Sequence, residues 1–166
     1  MHVSDVKSPL GLIRIVADAA AVVAVSFNPE SSPKLNKVGL TGQEQPNQIS
    51  QQAALQIDEY FSGERTCFDL PISFGKRSAF GQSILDGLIS VPYGETWSYG
   101  ALAAKCHYPK AARAVGRVMA SNPIPIIVPC HRIVGSSGKL TGYSGGDGVS
   151  TKKWLLDFEA GDGSAE

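Results

Sequence analysis

The sequence predicts an α+β protein in two parts, a small α+β unit over residues 1–75 and a mainly helical unit over residues 76–166. Three observations carry this reading. Two apolar, β-branched runs in "SPLGLIRIVADAAAVVAVSF" read as a hairpin. From Ser78 onward the apolar residues recur at helical spacing in short segments. Two alanine-rich segments, "SYGALAAKC" and "PKAARAVGRVMAS", lie on either side of a turn around His107 and Tyr108, which is helix-turn-helix spacing. At 166 residues the chain is long enough to bury a real core, as one domain or two small ones.

In chain order, the hairpin is followed by the polar loop "NPESSPKLNKVGLTGQEQPNQ". "ISQQAALQIDEYFSGE" then places Ile49, Ala53, Leu55 or Gln56, Ile57 and Tyr60 near helical spacing and stops at Gly63, a C-terminal cap. "TCFDLPISF" reads as another strand. "SAFGQSILDGLISVPYG" begins with an N-cap serine, carries Phe80, Ile84, Leu85 and Leu88 on one face and halts at Pro92. In the second alanine-rich helix Pro109 suits the first helical position, and Arg113 and Arg117 fall four apart on one face. Such a pair of helices either presents its second member to DNA or packs for structural reasons alone. "GSSGKLTGYSGG" is a glycine-rich loop without phosphate-loop spacing, and "STKKWLLDFEA" is a final helix capped by Ser150 or Thr151.

The formal net charge is zero, but it is unevenly spread. Residues 1–75 hold five Lys/Arg against eight Asp/Glu, whereas the stretch from Lys76 to Lys153 holds ten basic against three acidic side chains. A basic half on a neutral chain is what phosphate binding needs, and a solvated basic face reads the same way. Three cysteines without paired spacing argue against a disulfide framework and for a reducing compartment. Leu12–Phe27, the most apolar segment, is interrupted by Arg14 and Asp18, so no membrane span is expected. With no leader-like N-terminus either, the reading is a soluble, cytoplasmic chain, or a nuclear one in a eukaryote.

The stretch "PIPIIVPCHRIV" seals a thiol between an apolar run and the pair His131-Arg132. Pro123 and Pro125 mark an edge or an irregular lead-in, and Pro129 stops any ladder one residue before Cys130. A structural cysteine is an inert small hydrophobe, whereas one beside a histidine and an arginine can lose its proton near neutral pH; both readings fit the local sequence. Neither Cys106-His107 nor Cys130-His131 has zinc-ligand spacing, so no metal is expected. A thiolate nucleophile needs a base within reach and an orienting group behind it. His131 can serve Cys130 only in a tight turn or through a bridging water, and Glu159, in the last turn of the final helix, is the candidate carboxylate.

"PCHRIV", preceded by "SNPIPIIV" and followed by "GKLTGYSGG", resembles the active-site signature of the O6-alkylguanine-DNA alkyltransferases, or methylated-DNA-protein-cysteine methyltransferases. "PYGETWSYGALA", "AARAVGRVMASNP" and "KKWLLDFE" match the same family in order and spacing. The resemblance is dense from Phe80 to Glu159 and confined before that to "SPLG", "YFSGE" and "FDLPISF". It implies a ribonuclease-H-like N-terminal α+β domain and a C-terminal winged-helix domain carrying the helix-turn-helix. It also implies DNA repair by direct reversal: the alkyl group of O6-alkylguanine, and as a further candidate O4-alkylthymine, passes irreversibly to Cys130 after the base is flipped out. No cofactor is implied; the partner is double-stranded DNA containing alkylated guanine, met by a monomer.

Within the resemblance His131 acts through water as base, Glu159 orients it, and Asn122 braces the turn between recognition helix and cysteine. Tyr99 crowds a phosphate and donates a proton toward guanine N3. Tyr143 and Ser144 close the pocket over the base, and Ile133 and Cys130 offer main-chain groups to its edge. Arg113 enters the base stack, while Ala112, Ala114 and Gly116, with Arg117 beside them, let the helix approach a minor groove closely. Arg132 supports structure. The segment "DGVST" before Lys152 is about two residues longer than the family pattern, so the loop beyond Ser144 is expected to differ in shape. Two other functions fit parts of the pattern: a binder of alkylated bases without an acceptor thiol, which Cys130 speaks against, and a cysteine hydrolase that turns over through an acyl intermediate.

Overall fold

The computed structural model describes residues 1–161. Residues Met1–Gly75 form one compact unit and a second begins at Lys76. In the first unit β1 (His2–Ser8), β2 (Gly11–Ala17) and β3 (Val22–Phe27) make an antiparallel sheet in the order β1-β2-β3. The β2–β3 turn is set by Asp18, whose Oδ1 accepts from the main-chain N–H groups of Ala20 and Ala21 at 2.7 and 2.8 Å. The side chains of this hairpin sort to the two faces of the sheet. Val16 pairs with Ala24 and packs with Leu35 on one face. Ser4 pairs with Ile15 and its hydroxyl meets that of Ser50 in α1 (Gln48–Phe61), so Ile13 and Ile15 face the helix. Strand β1 was not expected. Its residues are half-buried or exposed throughout, so no strong apolar alternation marks it.

Helix α1 starts in a capping box: Asn47 accepts from the Ser50 N–H at 2.8 Å, and the Ser50 hydroxyl accepts from the Asn47 N–H at 3.0 Å. It buries Ala53, Gln56, Ile57, Tyr60 and Phe61, and it ends as expected before Gly63, which takes φ +81°. Of the pair Leu55 and Gln56 it is Gln56 that turns inward, while Leu55 is 50 % exposed. The Gln56 amide exchanges two hydrogen bonds with the main chain of Asp69, 3.0 and 2.9 Å. The segment "TCFDLPISF" is thereby held alongside the unit, but it is not a strand. Only Ile72 bridges to Val22, in parallel, through Val22 N–H to Pro71 O and Ser73 N–H to Val22 O. Pro71 has no N–H to extend the ladder.

The second unit is mainly helical. Helix α2 (Ala79–Ile89) begins at Ser78, whose hydroxyl accepts from Gly81 N–H at 3.0 Å, and buries Ile84, Leu85 and Leu88. Helix α3 (Tyr99–Lys105) is capped in the same way by Ser98. Gly87 lets these two helices meet, since a Cβ there would clash with the Cys106 sulfur just past α3. Helix α4 (Ala112–Ala120) starts three residues later than the sequence suggests. Pro109 is not its first residue but lies inside a turn closed by Ala111 N–H to Tyr108 O, 3.0 Å. A residue before proline is pushed out of helical geometry, and the turn absorbs that constraint before the helix begins. Arg113 therefore sits in the first turn of α4, exposed like Arg117 one turn on.

Strands β4 (Trp97–Ser98) and β5 (Ile133–Val134) pair in parallel and tie the start of α3 to the segment after Cys130. Helix α5 (Val149–Glu159) closes the unit. Its N-cap is Gly148 at φ 69°, not Ser150 or Thr151. Those two hydroxyls turn back instead: Ser150 donates to Asp147 O, and Thr151 Oγ1 accepts from Asp147 N–H. Among the described residues no helix is long and apolar enough to cross a membrane.

Candidate active site

The route from α4 to Cys130 is irregular and deeply buried. Asn122, the second residue beyond α4, is 1 % exposed and directs the chain with both ends of its amide. Its Oδ1 accepts from Ile124 N–H at 3.0 Å, and its Nδ2 donates to Val128 O at 3.0 Å and toward the Cys130 sulfur at 3.3 Å. Between these anchors Ile126 is held at φ 73°, a conformation costly for a β-branched residue. Pro129 (φ −82°, ψ 61°) then makes an inverse γ-turn, closed by Cys130 N–H to Val128 O at 2.8 Å, and Cys130–Arg132 form a single 3-10 turn.

That turn sends His131 and Arg132 to one carboxylate. His131 Nε2 lies 2.7 Å from Glu159 Oε1; Arg132 donates from Nε to Oε2 and from Nη2 to Oε1, both at 2.9 Å. The third guanidinium donor, Nη1, reaches Val91 O at 2.7 Å, and the Tyr93 ring lies 5.6 Å from the guanidinium carbon. His131 is 0 % and Glu159 6 % exposed. Burial disfavours the Glu159 carboxylate, but the hydrogen bonds from His131 and Arg132 and the adjacent charge outweigh it, and its pKa falls to about 2. Burial pushes the His131 pKa down despite Glu159, so the imidazole is neutral at pH 7. Arg132, the permanent cation of the group, adds its charge and hydrogen bonds to the hydrogen bond from His131 in keeping Glu159 ionised. A neutral His131 facing a carboxylate carries its proton on Nε2, which leaves Nδ1 as a base; Nδ1 is buried and has no hydrogen-bond partner among the described residues.

Cys130 lines a cavity of about 300 Å³ between Gly116, Met119 and Ala120 of α4 and the loop residues Gly142, Tyr143 and Ser144. The wall is mainly apolar, and the buried Tyr143 hydroxyl is without a partner among the described residues. Burial, and then the nearby Cys130 and Glu159, hold that phenol well above its ordinary pKa, so it stays protonated and able to donate. A Cβ at Gly116 would touch the Tyr99 ring, and the Tyr99 hydroxyl lies 2.8 Å from Thr141 Oγ1, one residue before the loop wall of the cavity.

Comparison with known proteins matches both units. Residues 79–161 match the DNA binding domain of 6-O-methylguanine DNA methyltransferase, and residues 1–74 its ribonuclease-like domain. The chain belongs to this methyltransferase family. A methylated-DNA–protein-cysteine methyltransferase of Mycobacterium tuberculosis is 49 % identical over 104 residues, covering 63 % of this chain and 61 % of the relative. That of Haemophilus influenzae is 39 % identical over 156 residues, covering 92 % of this chain and 82 % of the relative. Among solved structures, Mycobacterium tuberculosis OGT in complex with DNA superposes with a TM-score of 0.83 at 36 % identity, covering 99 % of this chain and 96 % of that one. The two units thus have the β-rich N-terminal and helical, winged-helix C-terminal architecture of the methyltransferase family.

The fold brings most of the sequence-derived methyltransferase residues into one region. Cys130, Tyr143, Ser144 and Gly116 line the cavity; His131 and Glu159 form the buried pair; Asn122 touches the sulfur. The Tyr99 ring lies against Gly116, and Ala112, Arg113, Ala114 and Arg117 lie along α4. Ile133 is fully buried in β5 opposite Trp97. Sequence reasoning missed Met119 and Ala120, which line the cavity, and the buried Lys152. The supporting role expected of Arg132 is borne out by its three hydrogen bonds to Glu159 and Val91. The helical spacing of Gly116, Met119 and Ala120 was the available signal for the cavity wall.

Proposed function

We propose that this chain repairs DNA by direct reversal, taking the alkyl group of O6-alkylguanine in duplex DNA onto Cys130, once per molecule. The observation that carries this reading is the placement of the Cys130 sulfur in a cavity beside a neutral His131 whose far nitrogen is held by a buried, ionised Glu159. His131 Nδ1 accepts the thiol proton through one water. The sulfur attacks the alkyl carbon in line, the S–C bond forms, and the C–O6 bond breaks with its electrons left on guanine. Tyr99 supplies the proton that makes guanine a competent leaving group, and the proton held on His131 balances the one Tyr99 gives up. Tyr143 and Ser144 close over the base, while the main chains of Cys130 and Ile133 meet its edge.

A stacked base cannot present O6 to the sulfur, so the base must be extruded, at a cost of a few kcal/mol that is least for a badly pairing lesion. Arg113, exposed in the first turn of α4, enters the vacated stack, and Arg117 meets backbone phosphate. Ala112, Ala114 and Gly116 keep the intervening surface low enough for a minor groove, where indifference to sequence suits repair. The chain works as a monomer in the cytoplasm, a reducing compartment in which the acceptor thiol persists.

Duplex carrying a radiolabelled O6-methylguanine tests this directly. Label is expected on the protein at one per chain and on no Cys130→Ser protein. Multiple turnover would indicate a hydrolase, and tight lesion binding without label a binder; either result overturns the proposal.

A further inference from the structure

Lys152 is 1 % exposed, yet among the described residues no carboxylate lies within ion-pair distance of it. Its neighbour in α5, Lys153, turns outward to Asp157. The buried ammonium donates to Thr141 O at 3.0 Å and lies 6.0 Å from the centroid of the Tyr99 ring. Thr141 in turn holds the Tyr99 hydroxyl at 2.8 Å, and the next three residues form the loop wall of the cavity. One carbonyl and one ring face do not replace the hydration of an ammonium, so a site of this kind calls for a counter-charge. The titratable and charged groups that act on it are Tyr99 at the start of α3 and Cys130 and His131 of the 3-10 turn. Glu159 is already committed to His131 and Arg132. Burial lowers the Lys152 pKa, and Cys130 opposes that shift.

We propose that Lys152 is a positioning residue for alkyl transfer, bracing the Thr141–Tyr99 pair through the Thr141 carbonyl and standing as the buried counter-charge of the Cys130 thiolate. The inference rests on the alkyl-acceptor reading of Cys130. It assigns Lys152 two effects: the cation favours the thiolate at neutral pH, and alkylation of the sulfur deprives the cation of its partner.

The test uses single-turnover transfer from free O6-benzylguanine, measured against pH in wild type, Lys152→Met and Lys152→Arg. Removing the cation makes the thiolate harder to form, so Lys152→Met should lose about tenfold in rate at pH 7, with the deficit shrinking as pH rises. Lys152→Arg should recover part of the loss. A deficit of equal size at every pH, or none, overturns the counter-charge role. A second measurement needs no lysine variant: the Lys152 Nζ resonance of wild type is titrated before and after benzylation. Its pKa should fall when the sulfur is alkylated, and an unchanged titration also overturns the proposal. Failure of wild type to place benzyl on Cys130 at all would instead sink the acceptor reading, so the two failures are distinguishable.

Discussion

His131 and Glu159 meet at 2.7 Å, Nε2 to Oε1, in a site closed to solvent, and Arg132 fills the remaining hydrogen-bonding capacity of the same carboxylate. The carboxylate thereby selects the histidine tautomer, and the histidine and arginine together hold the carboxylate ionised.

Glu159→Gln keeps the shape and removes the charge. Its amide has one acceptor where the carboxylate has two, so in either orientation an N–H faces a donor of Arg132, and the imidazole loses the anion that fixes its proton on Nε2 and leaves Nδ1 as the base. Transfer from free O6-benzylguanine is expected to slow by about 100-fold, within the range for loss of a general base. Breaking the buried ion pair should also cost roughly 3–5 kcal/mol of stability. An unchanged single-turnover rate would remove His131 from the mechanism.

Stability should fall in two stages on acidification. His131 is held below its ordinary pKa of 6.5, so below that value the unfolded chain takes up a proton that the folded one refuses. Glu159 is held at about 2 against an ordinary 4.5, so its contribution is complete above 4.5 and is lost as pH falls toward 2. Denaturant melts of wild type and His131→Gln across pH 3 to 8 check this, with the variant lacking the stage that begins near 6.5. Identical profiles would contradict the neutral assignment of His131.

Arg113→Ala should slow repair of duplex by roughly ten- to a hundredfold while leaving reaction with free alkylguanine base nearly unchanged, because only duplex requires the base to be unstacked. Parallel rate measurements on the two substrates decide it. Equal losses on both would refute the entry of Arg113 into the base stack.

How much of this was legible in the sequence depends on the kind of signal. Helix α1 was readable from its apolar spacing and glycine stop, α2 from its capping serine, and the β2–β3 hairpin from its two β-branched runs around Asp18. Strand β1 was not, because an edge strand with half-exposed residues lacks the apolar alternation that marks strands. The late start of α4 and the glycine cap of α5 turn on local hydrogen bonds at Tyr108 and Asp147, which composition does not reveal. In the site, Cys130 and His131 were readable together with Glu159 as the carboxylate behind them, whereas Asn122 was picked out by the resemblance. Lys152 escaped notice because its burial depends on Thr141 and Tyr99, brought to it only by the fold.

The alkylated protein should melt below the unreacted one. A thioether accepts the Asn122 Nδ2 hydrogen bond less well than the free sulfur, and extra carbon in a tightly packed turn costs roughly 1 to 3 kcal/mol. Benzylation should lower Tm further than methylation. Superimposable melting curves would mean that the cavity was built with room for the product.

Peptide mapping by mass spectrometry after reaction with duplex containing O6-methylguanine tests the central claim most directly. One added methyl is expected per chain, confined to the peptide that contains Cys130, with Cys67 and Cys106 unmodified and the modification persisting after the DNA is removed. A methyl on either of those other cysteines, or complete repair of the DNA by a protein that carries none, would contradict the account.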